Sequence, residues 1–352
     1  MDVNPLLWKG KRVLVTGHTG FKGSWLSFIL SELGAEVVGL SLPPPEIGYS
    51  LYKDARISQR MKTECFLDIR NELEVEKFIK NSNPDYVFHL AAQALVGNSL
   101  LNPIESITTN VSGTANVLLS SLKLSKLRGI TIVTTDKVYQ NLNNGVPFTE
   151  NDRLGNKDPY SASKAAAEII VNSLASSCNP YQIQVTTARA GNVIGGGDWG
   201  EKRLIPDLVG TLVTGNQLDL RAPNSTRPWQ HILDCIRGYL MLAQAHMLKN
   251  TMTPVSINFG PTKSLCVMDL VNIFEMVFNT KIDYRIVNSS YEEAKKLELN
   301  SQLAWNFLSW ENIIDPIDAV TQTANWYLQF TSGIAAEKLL IEEYSNFRFN
   351  RW

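Results

Sequence analysis

The sequence is poor in the residues that build metal and redox sites, with four cysteines and four histidines among 352 residues. Cys65, Cys178, Cys235 and Cys266 form no CxxC pair, which argues against a zinc ribbon or a redox dithiol and for reduced thiols. His18, His89, His231 and His246 are scattered and no HExxH occurs, so no metal is expected. His89, at the end of a strand, reads as a satisfied, partly buried histidine. No apolar run reaches the roughly 18 residues of a membrane span. The opening stretch MDVNPLLWKGK lacks the basic flank and apolar run of a signal peptide. Excess charge is missing too: 33 Lys and Arg against 34 Asp and Glu leave a net −1. Nothing in that balance calls for nucleic acid or an anionic membrane as partner, and a cytoplasmic protein is expected. There is no repeat, no GxSxG elbow and no P-loop lysine motif, which removes the usual signals of hydrolysis and phosphoryl transfer.

What is present is a regular alternation of short β-branched runs and helical stretches over the first ~190 residues, the pattern of a parallel sheet wrapped by helices. Strands are expected at 12–16, 36–40, ending near 67, 85–90, 129–135 and 185–189, and helices at 20–33, at 106–124 and from about 160. Pro43, Pro44 and Pro45 force a loop after the second strand. Beyond 190 the rhythm changes. AGNVIGGGDWG (190–200) carries five glycines and is expected to be loop, and ligand-type loops are expected at 221–230 and 258–263. The resulting expectation is a Rossmann-type doubly wound α/β sheet in residues 1–190, with returns near 228–260. Residues 191–352 are expected to form mainly a smaller substrate-binding lobe.

The motif Gly17-His18-Thr19-Gly20-Phe21-Lys22-Gly23 follows a strand and opens a helix. Glycines there let the backbone approach a pyrophosphate, and the helix N-terminus supplies N–H donors. In that context the motif reads as a dinucleotide site rather than a bare tight turn. The acid that usually grips the adenosine ribose after strand two is missing, because the chain reads Gly39-Leu40-Ser41-Leu42. NAD and NADP are therefore not separated at this position. Asp68 is either an adenine contact or the N-cap of the next helix. Ala91 and Ala92, just past the fourth strand, are further candidate cofactor contacts.

Tyr160 and Lys164 form a YxxxK on one helical face. A lysine ammonium beside a phenol lowers the phenol pKa, so tyrosinate can serve as a base. Thr134, Thr135, Asp136 and Lys137 end strand five, where side chains should face a bound ligand. Arg227, with Trp229 beside it, and Asn258 are candidate grips on a phosphorylated substrate, and Arg203 and Arg221 are weaker ones that could equally be solvated.

Together the glycine motif, Thr135, Tyr160 and Lys164 resemble the extended short-chain dehydrogenase/reductases that modify nucleotide sugars, over residues 11–326. Within that branch, TGHTGFKGSWL (16–26), TTDKVY (134–139), RAGNVIGGGDW (189–199) and RPWQHILD (227–234) are similar to the CDP-glucose 4,6-dehydratases. Related dTDP-glucose and GDP-mannose dehydratases place Glu where this chain has Lys137. The resemblance implies bound NAD, oxidation at sugar C4, loss of water across C5 and C6, and return of a hydride to C6. It assigns Tyr160 as the base at the C4 hydroxyl, with Lys164 orienting the nicotinamide ribose. Asp136 becomes the proton donor to the departing C6 hydroxyl and Lys137 the helper at C5. Asn192 and Arg227 hold the diphosphate. Segment 143–156 matches poorly and is expected near the sugar. A homo-oligomer, paired through helices near 105–124 and 161–176, is implied by analogy. Two other readings remain: a nucleotide-sugar 4-epimerase or ketoreductase, which needs no Asp-Lys pair, and a non-catalytic dinucleotide sensor.

Overall fold

The β-branched runs at 12–16 and 36–41 are apolar on both sides because each lies inside a parallel sheet covered by helices on both faces. The computed structural model describes residues 2–248, 253–287 and 296–347. In chain order the first part runs β1 (Arg12–Thr16), α1 (Phe21–Glu32), β2 (Glu36–Ser41), α2 (Leu51–Asp54), β3 (Thr63–Phe66), α3 (Glu72–Ser82) and β4 (Tyr86–His89). Then come α4 (Val96–Leu101), α5 (Pro103–Ile107), α6 (Thr114–Leu122), β5 (Gly129–Val133), α7 (Pro159–Ser177) and β6 (Gln184–Ala190). The second part adds β7 (Val193–Ile194), α8 (Leu204–Thr214), β8 (Leu218–Leu220), β9 (Thr226–Arg227), β10 (Gln230–His231), α9 (Ile232–Leu248) and β11 (Ser256–Phe259). It closes with β12 (Leu265–Cys266), α10 (Val267–Phe278), β13 (Tyr284–Ile286), α11 (Gln302–Leu308), α12 (Pro316–Thr331) and α13 (Ala336–Phe347).

The central sheet has seven strands in the order β11-β6-β5-β4-β1-β2-β3, all paired parallel. Alternation along β1 sends Val13 and Val15 into one core, with Trp25 and Phe28 of α1 and Tyr239 of α9. Leu14 enters the other, with Val75 of α3, Val117 of α6 and Val171 of α7. The strand order reverses between β1 and β4, and that crevice is where a doubly wound sheet binds its ligand. The small pairs β7–β10, β8–β13 and β9–β12 are separate from the central sheet, and β7, β8, β9, α8 and the first residue of α10 contribute to the cleft. No helix among the described residues is long and apolar enough to cross a membrane.

Three expectations change. The helix foreseen at 106–124 is interrupted by a π-turn at Thr108–Gly113. The wider turn aims Asn110 inward, where its side chain bonds both Gln93 backbone groups (2.9 and 3.0 Å) and Ser163 Oγ (2.9 Å). Strand five stops at Val133: the Thr134 N–H makes a last bond to the Ala188 carbonyl at 2.9 Å, Thr135 leaves the ladder, and Asp136–Val138 coil into a 3-10 turn. The segments at 190–200 and 221–230 are not wholly loop, since they contribute β7, β9 and the first residue of β10, and 258–263 begins inside β11.

Candidate active site

A cleft of about 1120 Å³ runs along the C-terminal edge of the sheet, past Gly17, Ser41, Leu67, Leu90, Thr134 and Ala190. Its floor at one end is the β1–α1 turn. Gly17 has φ +74°, and a Cβ there would sit 2.8 Å from the Ala91 nitrogen. A Cβ on Gly23 would fall 2.0 Å from the Gly17 carbonyl oxygen, so this glycine lets the helix close on the turn. Gly20 is different: a Cβ there meets only the Gly17 oxygen, at 3.4 Å. Its missing side chain leaves room above the N-terminus of α1, with Thr19, Phe21 and Lys22 alongside in the cleft wall. This cradle fits the pyrophosphate of NAD, which side chains would otherwise fill. Gly20→Trp should therefore fold, because the added ring projects into the cleft, and should lose measurable NAD binding in a calorimetric titration. Unchanged affinity in the folded variant would remove the dinucleotide reading.

β2 ends on Ser41 rather than on an acidic residue. The turn is tied there by hydroxyls instead: Thr19 Oγ1 lies 2.7 Å from Ser41 Oγ and donates to the Leu42 carbonyl at 3.0 Å. Asp68 lines the cleft and does not cap α3, whose N-cap is Asn71. Its carboxylate accepts from the backbone and guanidinium of Arg70, a cleft residue that sequence reasoning passed over. Ala91 and Ala92 lie in the same wall.

The reacting centre lies at the β5 and β6 ends. Tyr160 and Lys164 project from the first turns of α7, which Asp158 caps through the Ser161 amide (2.9 Å). Lys164 Nζ donates to the Val133 carbonyl at 2.9 Å, and burial pulls its pKa down to about 8. Tyr160 does not behave as the YxxxK spacing suggests. Burial pushes its phenol up to about 12, and what pulls it down is a hydrogen bond with Thr135 and the charge of Arg203 rather than Lys164. Lysine at this spacing shares the buried environment, and desolvation outweighs the pairing. Lys137 Nζ sits 6.0 Å above the Tyr160 ring. Asp136 is buried: Thr135 Oγ1 donates to its Oδ1 at 3.0 Å, while Oδ2 has no hydrogen-bond partner among the described residues. Burial holds this carboxyl above the ordinary range. A Cβ on Gly191 would come within 2.9 Å of Asp136 Oδ2, so only glycine lets the chain after β6 pass over it at this distance.

Thr134 is adjacent but turned away, its hydroxyl donating to Glu168 Oε1 at 2.6 Å. Glu168 is fully buried and grips Arg189, whose Nε reaches both carboxylate oxygens at 2.9 and 3.0 Å. Sequence reasoning missed this pair, although Glu168 continues the spacing Tyr160, Lys164 by one more helical turn. His89 is fully rather than partly buried, held by Thr16 Oγ1 (2.7 Å) and Thr114 Oγ1 (2.9 Å).

On the far side of the centre, Asn192, Arg203, Arg221, Arg227 and Trp229 line the cleft. Arg203 is held by Asp198 at 3.0 Å, and Arg221 donates to the Lys202 carbonyl at 3.2 Å. Trp229 is buried and also faces the cleft, with its indole N–H on the Leu265 carbonyl. Asn258 is a correction. It is fully buried on β11, where it accepts from Tyr139 OH (2.7 Å) and donates to the Phe148 and Asn300 carbonyls, and it does not border the cleft. Of segment 143–156, only Asn156 reaches the cleft. Phe148 instead pairs with the Glu298 and Asn300 backbone.

The model of the NAD dependent epimerase/dehydratase family matches residues 13–257. A CDP-glucose 4,6-dehydratase of Salmonella typhimurium is 41% identical over 260 residues, 72% of each chain. A UDP-glucuronate 4-epimerase of Arabidopsis thaliana is 28% identical over 92% of this chain and 77% of its own. Among solved structures, a dTDP-glucose 4,6-dehydratase from Streptomyces venezuelae with NAD bound superposes with TM-score 0.79 at 23% identity, over 91% of this chain and 98% of that one. A UDP-glucose 4-epimerase from Thermotoga maritima gives 0.80 at 22% identity, over 91% and 99%.

Proposed function

The chain belongs to the NAD dependent epimerase/dehydratase family, and from that premise we propose that it is a 4,6-dehydratase converting CDP-glucose to CDP-4-keto-6-deoxy-glucose. Residues 1–190, with the returns near 228–260, hold NAD, and residues 191–352 mainly hold the nucleotide sugar. NAD, when bound, supplies acceptance and return of a hydride. The protein's own groups move the protons. Tyr160 takes the proton of the C4 hydroxyl, to which Thr135 also hydrogen-bonds, and Lys164 orients the nicotinamide ribose. Once C4 is a ketone, the C5 hydrogen is acidic. Lys137 takes it while Asp136 delivers its proton to the C6 hydroxyl, which leaves as water and closes the C5–C6 double bond. Asn192, Arg203 and Arg227 hold the diphosphate.

The observation that carries this reading is Asp136: a buried carboxyl with a free oxygen, its pKa raised by burial, beside the Tyr160 base. An epimerase or ketoreductase uses the tyrosine and lysine alone and needs no second acid, and a non-catalytic sensor needs neither. Incubation with CDP-glucose tests it. A dehydratase forms the 4-keto product without added NADH, whereas no such product points to one of the other two readings.

Pairing of two copies is part of the same proposal. Leu100 and Leu101 of α4, Ile104 and Ile107 of α5 and Ile169 of α7 expose apolar side chains on neighbouring helices. A homodimer would cover them, and sedimentation at monomer mass across micromolar concentrations would exclude it.

A further inference from the structure

Thr135, Asp136 and Lys137 share one short 3-10 turn, and its own bonds hold it weakly. Val138 N–H reaches the Thr135 carbonyl at 3.3 Å, Tyr139 N–H the Asp136 carbonyl at 3.4 Å, and Lys137 N–H the Thr135 hydroxyl at 3.3 Å. All three exceed the roughly 2.7–3.2 Å usual for an N–H···O bond. The residues that flank the turn are held more firmly, and by the same buried ion pair. Thr134, before it, donates to Glu168 Oε1 at 2.6 Å, and Tyr139, after it, accepts from Arg189 Nη1 at 2.6 Å. Glu168 and Arg189 join through Nε at 2.9 and 3.0 Å and again through Nη2. Arg189 Nη1 also donates to the Glu150 carbonyl at 3.1 Å, and the Tyr139 hydroxyl donates to Asn258 Oδ1 at 2.7 Å.

We propose that the buried Glu168–Arg189 pair is a positioning device for the loss of water: by gripping Thr134 and Tyr139 it fixes the turn that carries Asp136 and Lys137. This rests on the dehydratase reading and deepens it. Tyr139, Glu168, Arg189 and Asn258 do not border the cleft, so they act on a substrate through the turn and its neighbours. Each half of the pair also belongs to an element of the reacting centre. Glu168 lies one helical turn beyond Lys164 on α7, and Arg189 stands two residues before Gly191, which passes over Asp136. The pair thus sets the turn relative to Tyr160 and Lys164, and the charge of Glu168 works against the burial that lowers the Lys164 pKa. A buried ion pair gives up hydration on both sides and is a weak source of stability. Fully hydrogen-bonded, it fixes geometry instead. Elimination needs that geometry most, because removal of the C5 proton and delivery of a proton to the C6 hydroxyl must be aimed together, whereas C4 oxidation uses Tyr160 on the helix. A displacement on the order of 1 Å costs about 100-fold in rate.

Tyr139→Phe tests this. It removes one hydroxyl, keeps the ring stacked on Phe148 (centroids 4.8 Å apart) and leaves Glu168 and Arg189 paired, so it should fold. Thr134→Val cuts the link on the other side of the turn. In each variant kcat for CDP-glucose should fall roughly 10- to 100-fold, with KM within about twofold of wild type. Enzyme-bound reduced nicotinamide should build up, because elimination slows more than oxidation. Residues that merely supported the fold would lower the melting temperature and leave the kcat of folded enzyme and its nicotinamide absorbance unchanged. Amide hydrogen exchange reads the turn directly. Exchange at Lys137, Val138 and Tyr139 should speed up about tenfold or more in both variants, while β1 and β4 keep their wild-type protection. Wild-type kcat in the folded variants, or unchanged exchange in the turn, overturns the proposal. If wild type makes no 4-keto product from CDP-glucose, the dehydratase reading fails, and the exchange measurement still decides whether the pair holds the turn.

Discussion

Tyr160→Phe should lower kcat by about 10²- to 10⁴-fold and leave the substrate KM near its wild-type value. Phenylalanine fills the same buried space and keeps the apolar contacts, so binding loses little. What disappears is the buried phenol whose ionisation the nearby Thr135 hydroxyl favours. The pH dependence follows from the same environment. A base acts in its deprotonated form, and burial has raised Tyr160 to about 12. Wild-type turnover should therefore climb as pH rises through the neutral range. The charge of Arg203 and the Thr135 hydroxyl bring the limb lower, and the charge of Asp136 moves it higher. In Tyr160→Phe that limb should vanish along with the rate. Near-normal turnover in the variant would place the base elsewhere.

Asp136→Asn and Lys137→Met should spare the first half of the reaction and stall the second. Neither residue is needed to take the C4 hydroxyl proton. Both are needed to lose water, because hydroxide leaves poorly unless it is protonated as it goes. Asp136 is suited to donate: it is buried, its Oδ2 is unpartnered, and burial keeps the proton on to higher pH than in an exposed carboxyl. Elimination by wild type should accordingly fall on the alkaline side, as Asp136 loses that proton. In either variant, mixing with CDP-glucose should build up the absorbance of enzyme-bound reduced nicotinamide with little 4-keto-6-deoxy product. Wild-type protein turning over in heavy water should place solvent deuterium at C5. If both variants make product at the wild-type rate, or C5 carries no deuterium, the epimerase or reductase reading takes over.

Much of the sheet could be read from residue order because each strand is a short, continuous apolar run between turn signals. Residues 12–16 and 36–40 need no partner information to be recognised as strands, the first as one buried on two faces. The glycine turn was equally legible, since a strand, a GxxGxxG and a helix in that order leave few alternatives. Less visible were features set by contacts between distant segments. The π-turn at Thr108–Gly113 exists to bring Asn110 to Gln93 and Ser163, and no local pattern announces it. Asn258 had the composition of a ligand residue, but Tyr139 and the carbonyls of Phe148 and Asn300 claim its amide.

By itself, the sequence determined the parallel sheet, the cofactor turn and the identity of the groups at the ends of strand five and helix α7. These follow from short-range rules: strand and helix periodicity, and the backbone freedom of glycine. Only the tertiary structure decided what those groups experience. Burial under β6 and the passing Gly191 gives Asp136 a raised pKa, and the same burial, not Lys164, governs Tyr160. Desolvation depends on every neighbour around a group, most of them far away in sequence, and so it cannot be read from spacing along the chain.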